Sequence, residues 1–545
     1  MTSASLPVIV IGNGPVGQTT ALLLARWHIP VVRLDSRPAR DNVGSKAIAQ
    51  QRDVLDIWET VGVGTRLAEE GVTFRIGRTY FKDKELFSVE LQDGPGASPF
   101  PPFVNISQQR TEELMDGQIA EQPLIDVRWG HRVTAINQDD SGVTVTCETA
   151  DGSVDLAGAY AVACPGARGE ELRQMLGVTL DGHTFGDRFL ITDLRVNMPD
   201  WANERRFYFD PPWNPGRQVL IHECPDSTYR VDWQVPEGYD IEEQERTGGL
   251  DALIRQVVDD RDYEIAWKSV YRFHARVVDR MRVGKVLIAG DGAHLVAPFG
   301  GRGLNSGVPD AENAAWKLAY VLHGWAPEAL LETYHEERRA AALENLAVVG
   351  ETMKFLVPQT ADDRDFRTAT LERAMTDTSV VRDINSGRMS EPFWYVDSPL
   401  TTQDGQRPFP GRPEMGKTPA PAPGILVPDC AITFNKPGVT RLRQIVRDGF
   451  TVLTGAAVDA VALAADVTSA AGPVRVLQIE ALSPDLAHLL AARPDEVWVV
   501  RPDGYVAAVL VAPAASDVNA AIDRAVARPT ASLVLTHLGG GDQRA

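Results

Sequence analysis

The sequence predicts an α/β protein in three parts: a parallel sheet flanked by helices at the N-terminus, a strand-rich segment in the middle of the chain, and a smaller α/β domain at the C-terminus. Three observations carry this prediction. A short apolar strand, a glycine turn and an Ala/Leu-rich helix follow one another within the first thirty residues. Strand-like runs divided by Pro, Gly, Asn and Asp crowd residues 183–265. Seven prolines in 399–423 then precede a last stretch in which strand-like and helix-like runs alternate again.

Composition limits what the chain does. Its 545 residues are 44% hydrophobic and 23% charged, ordinary for a globular protein with large cores. A formal net charge of −20 argues against nucleic acid as a partner and against anionic membrane surfaces. No apolar run approaches the roughly 18 residues of a membrane span. The first residues carry no basic segment and lead straight into a strand, so a cytoplasmic protein without a signal peptide is expected. Cys147, Cys164, Cys224 and Cys430 are scattered without metal-ligand spacing, so no metal site is expected.

Val8–Ile11 is a continuous apolar run, as for a strand covered on both faces. It leads into Gly12-Asn13-Gly14-Pro15-Val16-Gly17, a helical pattern over Thr19–Trp27, a second strand at Val31–Leu34, and Asp35. The glycines allow a tight turn and close approach to a pyrophosphate, and an acid at the end of the second strand suits ribose hydroxyls. By itself this unit fits NAD as well as FAD.

Residues 286–305 decide between them. A strand over Val286–Ala289 ends at Gly290-Asp291; Pro298 and the turn Gly300-Gly301-Arg302-Gly303 lead to a helix expected to begin near Asn305. Such a helix start offers free N–H groups and a positive dipole end. The segment resembles the second FAD-binding motif of the single-component aromatic hydroxylases, the family of 4-hydroxybenzoate hydroxylase, phenol hydroxylase and 3-(3-hydroxyphenyl)propionate hydroxylase. Ser45-Lys46-Ala47-Ile48, Ile106–Glu112 and the run Asp310–Leu318 are similar to the same family.

The resemblance implies a Rossmann-type, GR2-like FAD-binding domain (1–72, 106–182 and 266–398), an antiparallel-sheet substrate domain (73–105 and 183–265), a Pro-rich linker (399–424) and a thioredoxin-like C-terminal domain (425–545). Without a CxxC, that last domain is expected to stabilise the protein or form a homodimer. The implied FAD contacts are Gly12, Gly14, Pro15, Gly17, Asp35, Ser36 and Arg37 at the adenosine and pyrophosphate end. Lys46, Gln108, Val133 and Gly166 follow. Gly290, Asp291, Pro298, Gly301, Gly303, Leu304 and Asn305 serve the ribityl chain and flavin ring.

NADPH or NADH would be the reductant and O2 the oxidant, a small-molecule aromatic being hydroxylated through a C4a-hydroperoxyflavin. Baeyer–Villiger or epoxidising chemistry, and a flavin-binding protein without catalysis, are the alternatives. Arg302, His222 and Tyr271 are the candidate catalytic residues, Arg302 as a charge beside the flavin. Tyr208, His222, Trp233, Tyr271, Pro298 and Phe299 are the candidate substrate contacts. His294 is expected to be structural. One run departs from the family pattern: Cys164-Pro165-Gly166-Ala167-Arg168-Gly169 has Pro165 where relatives carry Asp, which removes a carboxylate and a backbone donor together.

Overall fold

A computed structural model describes residues 6–41, 47–91, 98–385, 387–413, 417, 419–468 and 470–529. The chain opens with β1 (Val8–Ile11), α1 (Pro15–Arg26) and β2 (Val31–Leu34). β1 is buried along its whole length, which explains its unbroken apolar sequence. Next come β3 (Ala49–Gln51), α2 (Arg52–Glu59), α3 (Gly64–Glu70), β4 (Ile76–Phe81), β5 (Lys84–Glu90), β6 (Phe103–Asn105), α4 (Gln108–Ala120) and β7 (Ile125–Arg128). A meander of β8 (Arg132–Asp139), β9 (Gly142–Thr149) and β10 (Gly152–Gly158) leads to β11 (Tyr160–Ala163) and α5 (Glu170–Leu176).

The middle of the chain supplies β12 (Leu180–Val196), β13 (Glu204–Phe209), β14 (Gln218–Cys224), β15 (Thr228–Val235), α6 (Ile241–Thr247), α7 (Gly249–Val258) and β16 (Tyr263–Val278). After β17 (Arg282–Val283), β18 (Val286–Ile288) and β19 (His294–Leu295), three helices follow: α8 (Arg302–Leu322), α9 (Glu332–Leu356) and α10 (Ala361–Ala374).

These strands make two principal sheets. The first has the order β17-β18-β11-β1-β2-β7, parallel from β18 to β7. The second has the order β19-β16-β12-β15-β14-β13-β4-β5. It is antiparallel except where β4 runs parallel to β13. β12 and β16 are long, so this sheet reaches back to Leu180 and on to Val278 rather than stopping at 183 and 265. α8 is a single helix from Arg302, not one starting near Asn305, and Pro309 is accommodated within it. It is buried almost all round, between α1 and α9.

The second sheet is buried on both faces. Leu190, Val219, Ile221, Val231 and Trp233 share one face with α7, through Leu250 and Ile254. Phe189, Phe207, Phe209 and Leu220 share the other with Phe299 and the C-terminal half of α9.

The C-terminal domain comprises α11 (Leu442–Val446), β20 (Phe450–Thr454), α12 (Ala460–Asp466), β21 (Val474–Gln478), α13 (Ile479–Leu482), α14 (Pro484–Leu489), β22 (Glu496–Val500), β23 (Val506–Val511) and α15 (Ala515–Ala525). Its strand order β21-β20-β22-β23, with β20 and β21 parallel and β22–β23 a hairpin, is thioredoxin-like. Ion pairs fasten it to the first domain. Arg443 binds Asp53 and Asp56 of α2, and Arg447 binds Glu312 of α8. From the proline-rich stretch before it, Thr402 and Gly424 donate to Ala507 and Val506, and Arg407 pairs with Glu496.

Candidate active site

The turn after β1 depends on glycine at two points. Gly12 has φ +114°, and a Cβ there would lie 2.2 Å from the Cys164 carbonyl oxygen. A Cβ on Gly17 would lie 2.1 Å from the Gly12 oxygen. Gly14 is different, because its Cβ would meet nothing within 4 Å. It is the N-cap of α1 and leaves that helix start without a side-chain cap, with Pro15 in the first turn. The result is an open concavity at a positive helix end, suited to a pyrophosphate.

Asp35 ends β2 beside this concavity. Its carboxylate accepts from the Asn13 N–H at 2.8 Å, the Arg37 N–H at 2.9 Å and the Arg37 guanidinium at 3.0 Å. Burial opposes ionisation, but these donors outweigh it and hold the carboxyl below its usual value. Ser36 is exposed. Arg37 and Arg40 both lie over the Trp129 ring, 5.7 Å from its centroid. Gly130 and His131 donate to Arg37 and Asp35, which draws the strand carrying Val133 alongside. Gln108 opens α4; its Oε1 accepts from Ala47 N–H at 3.3 Å and its Nε2 donates to Glu112 at 2.8 Å. Lys46 lies outside the described residues.

The second helix packs against the first, and a Cβ on Gly307 of α8 would lie 2.6 Å from the Val16 side chain of α1. The Gly290 N–H donates to Asp310 at 2.9 Å, and the same carboxylate receives His294 Nε2 and Arg338 Nε at 2.7 Å each. Asp310 therefore fixes the turn that carries Asp291, and His294 is part of that support. Pro298 is exposed and Phe299 buried. Gly301, in the left-handed region, caps α8 without a side-chain cap. A Cβ on Gly303 would have Asp291 Oδ1, at 3.9 Å, as its nearest neighbour.

Leu304 packs on the main core. The Asn305 side chain is engaged with Gln51 N–H (2.9 Å) and the Ala49 (2.8 Å) and Gly301 (2.6 Å) carbonyls, clamping β3 to the start of α8. Gly166, at φ +70°, also borders open space. The Pro165 ring packs closely on Gly292, where a Cβ would lie 2.7 Å from its Cδ.

The arrangement fits FAD: two uncapped helix N-termini, an acid at the end of β2, and glycine edges at Gly14, Gly166 and Gly303 that leave room for a ligand. Arg302, expected as a charge beside the flavin, opens α8 directly before Gly303. Its guanidinium is buried and donates to Asn345 Oδ1 (2.6 Å) and to the Arg388 and Met389 carbonyls (3.0 and 3.3 Å). Those partners are 43 to 87 residues distant, and they turn the side chain towards α9 and the segment 388–389.

The expected substrate contacts divide between the two faces of the second sheet. Trp233 is in the cluster against α7, and Tyr208 packs on it, stacked on Tyr80 and edge-on to Trp213. The reason is the two-residue alternation of a strand: Val219 pairs with both Trp233 and Tyr208, which sets all three on the α7 side. Tyr271 and Phe299 belong to the opposite cluster, where Phe299 meets Phe189 and Phe273 edge-on at 5.6 Å.

His222 is two residues from Leu220 and so shares its face; across the ladder it pairs with Arg205 and Arg230. Sequence reasoning missed Arg205, Gln218 and Asp232, which also lie there by register. It missed the fully buried Gln50 of β3 too. An alternating polar-apolar pattern within β15 was the only available signal for Asp232.

The parallel sheet, the glycine turn after β1 and the exposed start of α8 define a flavin-nucleotide-binding protein with a separate substrate sheet. Sequence comparisons agree. A profile described as the FAD binding domain matches residues 5–348, and one described as the C-terminal region of aromatic-ring hydroxylases matches residues 420–529. A flavin-dependent monooxygenase of Mycobacteroides abscessus is 32% identical over 363 residues, 63% of this chain and 73% of that one. A 3-(3-hydroxy-phenyl)propionate/3-hydroxycinnamic acid hydroxylase of Comamonas testosteroni is 31% identical over 336 residues, 61% of this chain but only 55% of that protein's length. The crystal structure of the flavin-dependent monooxygenase PieE with FAD and substrate shares the fold, with a TM-score of 0.78 at 21% identity over 97% of this chain and all of that one. The chain belongs to the FAD-dependent monooxygenases of the aromatic-ring hydroxylase family.

Proposed function

We propose that this protein hydroxylates a phenolic or polyketide-like aromatic, taking a hydride from NADH or NADPH and one oxygen atom from O2. The second oxygen leaves as water, an aromatic C–H becomes C–OH, and the nicotinamide is oxidised. The observation that supports this most is the apolar sheet face of Phe189, Phe207 and Leu220, which meets Phe299 on the loop leading into α8. The Comamonas relative is named for a phenolic acid, which favours a phenol here.

Bound FAD supplies the redox chemistry that links the nicotinamide to O2. The rest is the work of the chain. The Gly12–Gly17 turn and α1 would hold the pyrophosphate, and Asp35 the ribose. Backbone N–H groups at Gly303, Leu304 and Asn305 would stabilise negative charge at the pyrimidine end. The aromatic cluster excludes water from the reacting ring. Burial, and the guanidinium groups of Arg205 and Arg230, hold His222 well below its usual pKa and so neutral. A neutral imidazole has a lone pair free to accept a phenolic proton, which makes the ring electron-rich for attack.

The test is to supply the purified holoenzyme with NADH or NADPH, 18O2 and a panel of phenolic acids and polycyclic phenols. At least one phenol should accelerate reductant consumption and emerge with a single 18O. If no phenol gains oxygen from O2, the proposal is overturned.

A further inference from the structure

Three neighbouring strands of the substrate sheet carry polar groups on the face that also bears Phe207 and Leu220. Arg205 of β13 stands opposite His222 of β14, and His222 stands opposite Arg230 of β15, with Asp232 two residues further on. Arg230 is satisfied, forked onto Asp193 at 2.8 Å by two nitrogens. The others are not. Arg205 Nε, His222 Nδ1, Asp232 Oδ1 and both amide atoms of Gln218 are buried with no hydrogen-bond partner among the described residues. His222 is 9% exposed and Gln218 fully buried, and His222 Nε2 lies 4.0 Å from Asp232 Oδ2.

A buried polar group left unpaired costs its full desolvation penalty. Folded proteins rarely gather several at one place unless something else completes them. Arg230 shows that the same sheet face can supply a guanidinium with a carboxylate partner. The unfilled capacity is specific in kind: Arg205 offers a cationic donor, Asp232 an acceptor, and His222 a second acceptor or donor between them. A phenol alone would use only the acceptor side. A substrate edge with an acceptor oxygen beside a hydroxyl would use both.

We infer that Arg205, His222 and Asp232 form a reading cluster for aromatics that carry a hydroxyl adjacent to a carbonyl or carboxylate oxygen, with the hydroxyl on His222 and Asp232 and the neighbouring oxygen on Arg205. The inference rests on the function proposed above and names the substrate class of that same site. It also gives the phenolic proton a destination. The O–H bond breaks, His222 or Asp232 takes the proton, and the Arg205 guanidinium stabilises the phenolate that remains.

Calorimetric titration of the FAD-loaded enzyme with 2-hydroxyacetophenone, phenol and acetophenone tests this directly. The hydroxy ketone should bind at least tenfold more tightly than either single-function probe. Arg205→Met should abolish its advantage over phenol, and Asp232→Leu its advantage over acetophenone. Flavin content and the unfolding midpoint report whether each variant folds. If Asp232→Leu does not fold, the isosteric Asp232→Asn should at least halve that preference.

Binding of all three probes within threefold overturns the inference, as does a preference that survives Arg205→Met. Oxygenation of phenols without this preference would sink the cluster while sparing the hydroxylase. The preference without oxygenation of any phenol would do the reverse.

Discussion

Arg501 of the C-terminal domain forks onto Glu337 of α9, with Nη1 to Oε1 at 2.6 Å and Nη2 to Oε2 at 3.0 Å. Glu337 also receives Lys317 of α8 at 2.7 Å and Ser398 at 2.6 Å, and Arg501 reaches Asp503. Burial works against the Glu337 carboxylate, yet Arg501 and Lys317 hold it far below the usual range. Removing its charge leaves two buried cations under-compensated. Glu337→Gln should therefore cost about 3–5 kcal/mol, read as a drop of several degrees in the thermal midpoint. An unchanged midpoint would show that this junction does not hold the domains together.

Gly14 separates cofactor binding from folding. Its φ of −88° suits any residue, and a Cβ there meets no atom of the protein within 4 Å. Gly14→Ala should fold with an unaltered midpoint in the absence of FAD but bind FAD at least tenfold more weakly, because the methyl occupies the open concavity. Titration of the apoprotein by flavin fluorescence measures this. Wild-type affinity would move the pyrophosphate elsewhere.

Asp232 should make stability depend on pH. Burial, together with Asp193, raises its carboxyl from 3.8 to about 6, against the pull of Arg230 and Arg205. Below about pH 4 both folded and unfolded states are protonated. Between there and pH 6 the unfolded chain gives up its proton first, so rising pH favours unfolding; above 6 the penalty levels off at about 2–3 kcal/mol. Relative to Asp232→Asn, the ligand-free wild type should lose about that much stability between pH 4 and pH 7. Denaturant titrations across this range check the sign and the window. A constant difference between the two proteins would refute the raised pKa.

Arg302 is a tether in this structure. Its guanidinium holds Asn345 and two carbonyls of 388–389, and the adjacent Ser390 N–H donates to Gly300 at 2.8 Å. Arg302→Met should destabilise the protein by about 2 kcal/mol and speed hydrogen exchange at the Ser390 amide. Unaltered exchange there would count against the tether.

The nucleotide fold is legible because its signals are local. Gly17 is demanded by a clash with the Gly12 oxygen five residues back, and Asp35 follows from the length of one βαβ unit. The side on which Tyr208 and Trp233 point is not local information. β15 alternates polar and apolar residues, but both faces of β14 and β15 are buried, so the alternation does not say which face meets α7. A start of α8 near Asn305 is expected because the glycines at 300, 301 and 303 signal a turn, whereas the helix already begins at Arg302. The partners of Arg302 are not legible either, because they lie on α9 and in the segment 388–389.

β4 and β5, from residues 76–90, form the outer edge of a sheet whose neighbouring strand, β13, begins at Glu204, and Ile76 pairs with Glu204 directly. During synthesis that hairpin must wait for more than a hundred further residues before its partner strand exists. The parallel sheet waits in turn, because β18 joins β11 only after the chain has traversed the other sheet. Such long loops make assembly slow. Neither layer can be finished before the other, so the two should mature together and lose structure in one cooperative transition. A cut between residues 90 and 204 would strand an unpaired edge on each fragment, and neither fragment should fold alone.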